Sequence, residues 1–175
     1  DFHGIARGKI LCVEKFLRSV EDETLYLPEN ALLTTVCGEY ADTPAELSDT
    51  NLERDVRLIP DPQTARMLPW SKRKVAQIIH RVENRDGGPA ELAPRELLRR
   101  VLAAYDERGW RPVVAPEFEF YLVEPSPQPA EPLRPRTRQL GGTDTGRRPY
   151  GIDALLGFES VIADVTRYCH DLGIG

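Results

Sequence analysis

Val113-Val-Ala-Pro-Glu-Phe-Glu-Phe-Tyr-Leu-Val123 alternates with a period of two, which predicts a β-strand. On such a pleat Val113, Ala115, Glu117, Glu119 and Tyr121 share one face, and Val114, Pro116, Phe118, Phe120 and Leu122 the other. The two carboxylates then stand side by side with Cα atoms roughly 6.6 Å apart. Like charges that close repel unless a cation lies between them or one is protonated. Phe118 and Phe120 are expected to anchor the strand in a core. Adjacent acids on a rigid strand suit a hard cation such as Mg²⁺ or Mn²⁺. The alternative is a solvated strand face, since exposed Glu is ordinary.

The helix predicted upstream of this stretch is the clearest in the chain. Pro94 suits a first turn, Leu97, Leu98, Val101, Leu102 and Tyr105 form an apolar stripe, and Gly109 ends it. A second helix is expected over 155–172, its inner face carrying Phe158, Val161, Ile162, Val165, Tyr168, Cys169 and Leu172. Between them, 125–148 reads as an irregular insertion, because Pro125, Pro127, Pro129, Pro132 and Pro135 remove backbone donors. The N-terminal half reads as β-rich. Strands are expected at Lys9–Val13, Ala31–Val36, Val56–Pro60 and Val75–Val82, the last with a helix as the alternative. A short helix is expected over Glu14–Val20, with Phe16, Leu17 and Val20 as its apolar set, and an acidic loop over 41–51. Two units follow: residues 1–92 and residues 93–175.

Composition narrows the function. With 175 residues and 41% apolar content, a real core is within reach. A net charge of −5 argues against nonspecific nucleic-acid binding. No apolar run approaches a membrane span, and no signal peptide is visible. Cys12, Cys37 and Cys169 lack ligand spacing and read as buried or reduced thiols of a cytoplasmic protein. His3, His80 and His170 also lack ligand spacing, and His80 is expected to be structural. The chain starts at Asp1 rather than Met, so residues are expected to precede it.

The motifs come in an order that resembles a known family. Pro60-Asp-Pro-Gln-Thr64 with Pro69-Trp70, then Pro94-Arg-Glu-Leu-Leu-Arg99, then Glu117-Phe-Glu-Phe-Tyr-Leu122 is similar to the glutamine synthetase family. The opening Asp1-Phe-His-Gly-Ile-Ala-Arg-Gly-Lys9 resembles the branch that joins glutamate to polyamines or other amines. The resemblance implies an α+β chain: a small β-grasp N-terminal domain over 1–92, then the start of a glutamine-synthetase-type catalytic α/β domain over 93–175. It implies an ATP-dependent ligase that joins the γ-carboxylate of glutamate to ammonia or an amine through a γ-glutamyl phosphate. Glu117 and Glu119 match the family's first two metal-binding glutamates, for Mg²⁺ or Mn²⁺, and Glu117 also serves the ATP side. Asp55 matches the family's second N-terminal Asp, just before the Pro-Asp turn, and is the catalytic candidate; taken alone it reads as a strand-edge charge. Thr35 falls where the family has its ammonium-site Asp, a departure that points to a different amine or a shifted loop. The implied assembly is a homo-oligomer, a dodecamer with active sites between subunits; Trp70, just after Leu68-Pro69, reads as an interface residue or equally as a core one. The remaining family ligands fall beyond Gly175. The rival expectation is a noncatalytic structural or regulatory relative that keeps the scaffold.

Overall fold

The computed structural model describes residues 1–40, 54–126, 131–138, 141–143 and 150–174. The loop expected at 41–51 lies outside them. The elements run α1 (Val13–Glu21), β1 (Tyr26–Pro28), a 3₁₀ segment (Glu29–Leu33), β2 (Asp55–Pro60), β3 (Arg66–Met67), β4 (Ala76–Gln77), β5 (His80–Glu83), α2 (Pro94–Asp106), α3 (Ile152–Leu156) and α4 (Glu159–Asp171). A second 3₁₀ turn, Pro62–Thr64, follows β2. Helices with small antiparallel sheets make the chain α+β, as expected. The chain falls into two compact units, residues 1–66 with 76–113, and residues 67–75 with 114–175.

The first unit is built on a three-stranded antiparallel sheet in the order β1-β2-β5. Pro28 is tolerated because β1 is an edge strand. Alternation sends Leu27, Val56, Leu58 and Val82 to one face, where Leu32, Ala90 and Ala93 close a small core. The other face carries Tyr26, Asp55, Arg57 and Glu83, through the pairings Tyr26↔Arg57, Pro28↔Asp55 and Arg57↔Glu83. Arg57 links Glu23 to Glu83 across that face. After β5 the chain turns at Gly87, whose φ of 86° suits glycine, and Asn84 N–H closes the turn on the Gly88 carbonyl at 2.7 Å. α2 starts at Pro94 and stops before Gly109, where φ is 66° and Trp110 N–H returns to the Tyr105 carbonyl.

In the second unit α3 and α4 flank Gly157. The expected single helix over 155–172 is thus two, joined where a Cβ would lie 2.9 Å from the Arg138 side chain. Trp70 meets Tyr168 of α4 edge-on at 5.7 Å, and the Arg167 guanidinium stacks on the same tyrosine. The described part of the insertion holds no helix or multi-residue strand, only the bridges Val123↔Pro135 and Thr137↔Thr143.

Several expectations fail for one reason, that a strand exists only when something pairs with it. Residues 110–122 carry no strand or helix, and 113–121 are exposed throughout. Phe118 is 85% exposed and anchors no core. Period-two alternation selects faces but supplies no neighbour for the backbone. Likewise Lys9–Val13 is not a strand, and Ala31–Val36 gives way to the 3₁₀ segment and a bridge between Thr34 and Tyr40. Val75–Val82 is split into β4 and β5, with β4 paired to β3. The α2 stripe is not a core face either. Leu97, Leu98, Val101, Leu102 and Tyr105 stay partly exposed, and the buried residue of α2 is Glu96. Leu17 of α1 is exposed, whereas Phe16 is half-buried.

Candidate functional site

Glu117 and Glu119 lie on the unpaired 110–122 segment, open to solvent. No hydrogen bond or ion pair joins either to another described residue. Backbone hydrogen bonds begin just beyond them. Arg136 N–H donates to the Leu122 carbonyl at 3.0 Å and Glu124 N–H to the Arg134 carbonyl at 2.9 Å. Thr137 N–H then donates to the Glu124 carboxylate at 2.7 Å, and this bond holds the Glu124 carboxyl below the usual range. Glu124 is thus committed to local structure, while the pair before it is not.

Glu117 and Glu119 offer the hard oxygen donors that Mg²⁺ or Mn²⁺ prefers. They are too few for a closed site. Among the described residues, no group of three or more His, Cys, Asp or Glu could hold a metal ion. The donors fit a hard cation in type, and the rest of its shell must come from elsewhere.

Asp55 opens β2 and faces away from the core. Its carboxylate receives the Arg85 guanidinium at 3.2 Å, and the same guanidinium lies over the Tyr26 ring, 5.0 Å from its centroid. Sequence reasoning placed Asp55 and missed Tyr26 and Arg85. Their meeting depends on the β1–β2 register and on the turn after β5, neither of which leaves a local signal. Thr35 sits in a tight turn: its amide donates to the Glu39 carbonyl at 2.7 Å, and its hydroxyl accepts the Glu39 amide at 3.2 Å. The hydroxyl has a structural task there, and it offers no carboxylate to an amine. Asp55 and the glutamate pair fall in different compact units.

Two buried acids went unforeseen. Glu29 is 1% exposed and takes a bidentate pair from Arg54, at 2.7 and 3.2 Å. That hydrogen bond raises the Arg54 pKa above its ordinary value. Glu96, also 1% exposed, accepts from Arg99 at 2.9 Å, with Arg81 at ion-pair distance, 3.6 Å. Both clusters secure the first unit rather than form a cleft.

Residues 91–175 match the glutamine synthetase catalytic domain. The chain's second half is thus similar to the catalytic domain of the glutamine synthetases. The chain is 26% identical to a glutamate–isopropylamine ligase of a Pseudomonas species, over 99% of this chain and 37% of the relative. It is 28% identical to the gamma-glutamylputrescine synthetase of Escherichia coli, over 94% of this chain and 34% of that protein. A glutamine synthetase of Methanococcus voltae is 33% identical over 71% of this chain and 27% of its own length. The chain therefore spans about a third of the curated relatives that match nearly all of it. No helix among the described residues is long and apolar enough to cross a membrane.

Proposed function

We propose that this chain is the first third of an ATP-dependent ligase that joins the γ-carboxylate of glutamate to an amine or ammonia through a γ-glutamyl phosphate. The observation that carries this reading is the similarity to an isopropylamine ligase along 99% of the chain. The match of residues 91–175 to the catalytic domain supports it. In this reading Glu117 and Glu119 are two ligands of a Mg²⁺ or Mn²⁺ ion, with Glu117 on the ATP side. The bound ion would neutralise charge on the transferring phosphate oxygens. Asp55 attracts the ammonium form of the acceptor and takes up its proton. The exposed 110–122 segment, which no described strand pairs with, suits a group that is fixed only once its ligands are complete.

The same proposal carries the β-grasp architecture for 1–92, a catalytic domain starting near 93, a cytoplasmic location, and a dodecamer with sites between subunits. The test is the full-length protein incubated with glutamate, ATP, Mg²⁺ and a panel of amines. Phosphate release that requires both glutamate and an amine, with a γ-glutamylamide seen by mass spectrometry, is the expected result. Absence of amine-dependent phosphate release across the panel would overturn it in favour of a noncatalytic relative.

A further inference from the structure

The outer face of the three-stranded sheet carries Arg57, Arg81 and Arg85, and they are of unequal standing: Arg81 pairs with Glu83 and Glu96. Arg57 is held between two carboxylates, Glu23 and Glu83. Arg85 is held by one carboxylate, Asp55, and by the ring of Tyr26. The pairings Pro28↔Asp55 and Tyr26↔Arg57 put Tyr26 and Asp55 on one face, a diagonal step apart. A carboxylate beside an aromatic face attracts organic cations through both charge and ring quadrupole. The Arg85 side chain is 64% exposed and that of Asp55 41%. A pair so open to water is screened and weak, so another cation can displace it.

Resting on the ligase reading above, we infer that Tyr26 and Asp55 form a seat for the alkylammonium head of the acceptor, and that Arg85 occupies this seat until the amine replaces it. A primary alkylammonium places up to two of its three N–H donors on the Asp55 carboxylate and its first methylenes on the Tyr26 ring. It thereby replaces both contacts of the guanidinium. Ammonium ion is compact and strongly hydrated, replaces the carboxylate contact alone, and competes poorly. Arg85 thus acts as a specificity-determining residue that favours organic amines over ammonia.

Calorimetry on the full-length protein tests this, with n-propylammonium chloride and ammonium chloride as titrants at constant ionic strength, alongside steady-state kinetics with the same amines. Arg85→Gln is expected to bind propylammonium roughly fivefold tighter, the gain from removing a weak ion pair and a cation–π contact. The KM for propylamine should fall by a similar factor, with the KM for glutamate within about twofold. Arg85→Lys should restore the wild-type amine affinity. Tyr26→Leu should weaken propylammonium more than ammonium, and Asp55→Asn should abolish both. Equal propylammonium affinity in wild type and Arg85→Gln, or no amine binding to either, overturns the seat. Binding with the expected pattern but no γ-glutamylamide leaves the seat standing and removes the ligase reading. Amide formation with an unchanged Arg85→Gln protein does the reverse.

Discussion

His80 shows how one side chain can make the first unit sensitive to pH. It stands on β5, edge-on to Phe16 of α1, with ring centroids 6.2 Å apart, and its Nε2 has no hydrogen-bond partner. Burial lowers its pKa, and a hydrogen bond with the Ile78 backbone opposes this only partly. The folded-state value lies below the unfolded one, about 6.5, so the unfolded chain binds more protons in the acid range. The contribution of neutral His80 is complete above about pH 6.5 and is lost as pH falls through the folded value. Urea midpoints measured from pH 8 to 5 should fall less steeply for His80→Leu than for wild type. Parallel curves would mean that His80 does not titrate against folding.

Glu96 makes a second residue-level case, because its removal and its isolation are not equivalent. Arg81 and Arg99 are 42% and 55% exposed, so they can rehydrate when the acid is gone. Glu96→Gln is expected to cost about 1–2 kcal/mol. Arg81→Met with Arg99→Met strands a buried carboxylate and is expected to cost more, about 3–5 kcal/mol. Denaturant unfolding of the two proteins reads the difference directly. Equal losses would show that water already reaches Glu96.

At the scale of elements, the sequence was legible where structure is local and obscure where it is not. α1 and α2 came out within a residue or two, because Pro94 and Gly109 mark the ends of α2 and helical bonds join neighbours in sequence. β2 was legible because Pro60 and the Pro-Asp-Pro turn delimit it. The 113–123 stretch has the strand pattern in full and still forms no strand, because pairing is a property of two segments. The same limit divided the candidate site. Glu117 and Glu119 could be found from their spacing, whereas the link from Arg85 to Asp55 spans 30 residues and could not. Hydrogen exchange provides the matching prediction. Amides of 113–121 should exchange at nearly free-chain rates in the 175-residue protein, while those inside α2 are slowed. Protection of 113–121 equal to that of α2 would mean that the segment finds a partner in solution.

At the scale of the whole chain, two apolar faces are uncovered among the described residues. One is the α2 stripe with Trp110, which is 61% exposed and packs edge-on against Tyr105. The other is a groove in the second unit, lined by Phe120, Leu122, Leu133, Leu155, Phe158 and Ile162. Faces of this kind mark surfaces that something else covers. Expressed alone, the 175-residue chain should bind an apolar dye strongly and associate at micromolar concentration. The full-length protein should do neither, and equal dye binding by both would show that these faces remain open.

Covering those faces within one subunit would still leave the two halves of the candidate site on separate units. Asp55 belongs to the first and the glutamate pair to the second. If the site is built between subunits, as proposed, an Asp from one copy serves the glutamates of its neighbour. A head-to-tail contact of that kind uses two different surfaces and closes into a ring. Glu117→Ala and Asp55→Ala proteins should each lose activity while remaining folded. When the two are dissociated, mixed and reassembled, some interfaces pair an intact Asp55 with an intact Glu117. With equal amounts and random assembly, about a quarter of the sites should recover. Kinetics of the reassembled oligomer, with its size checked by light scattering, measures that fraction. Recovery near a quarter places the two residues on opposite sides of one interface. No recovery in a mixed oligomer of the correct size places them in the same subunit's site, and the shared-site proposal is then wrong.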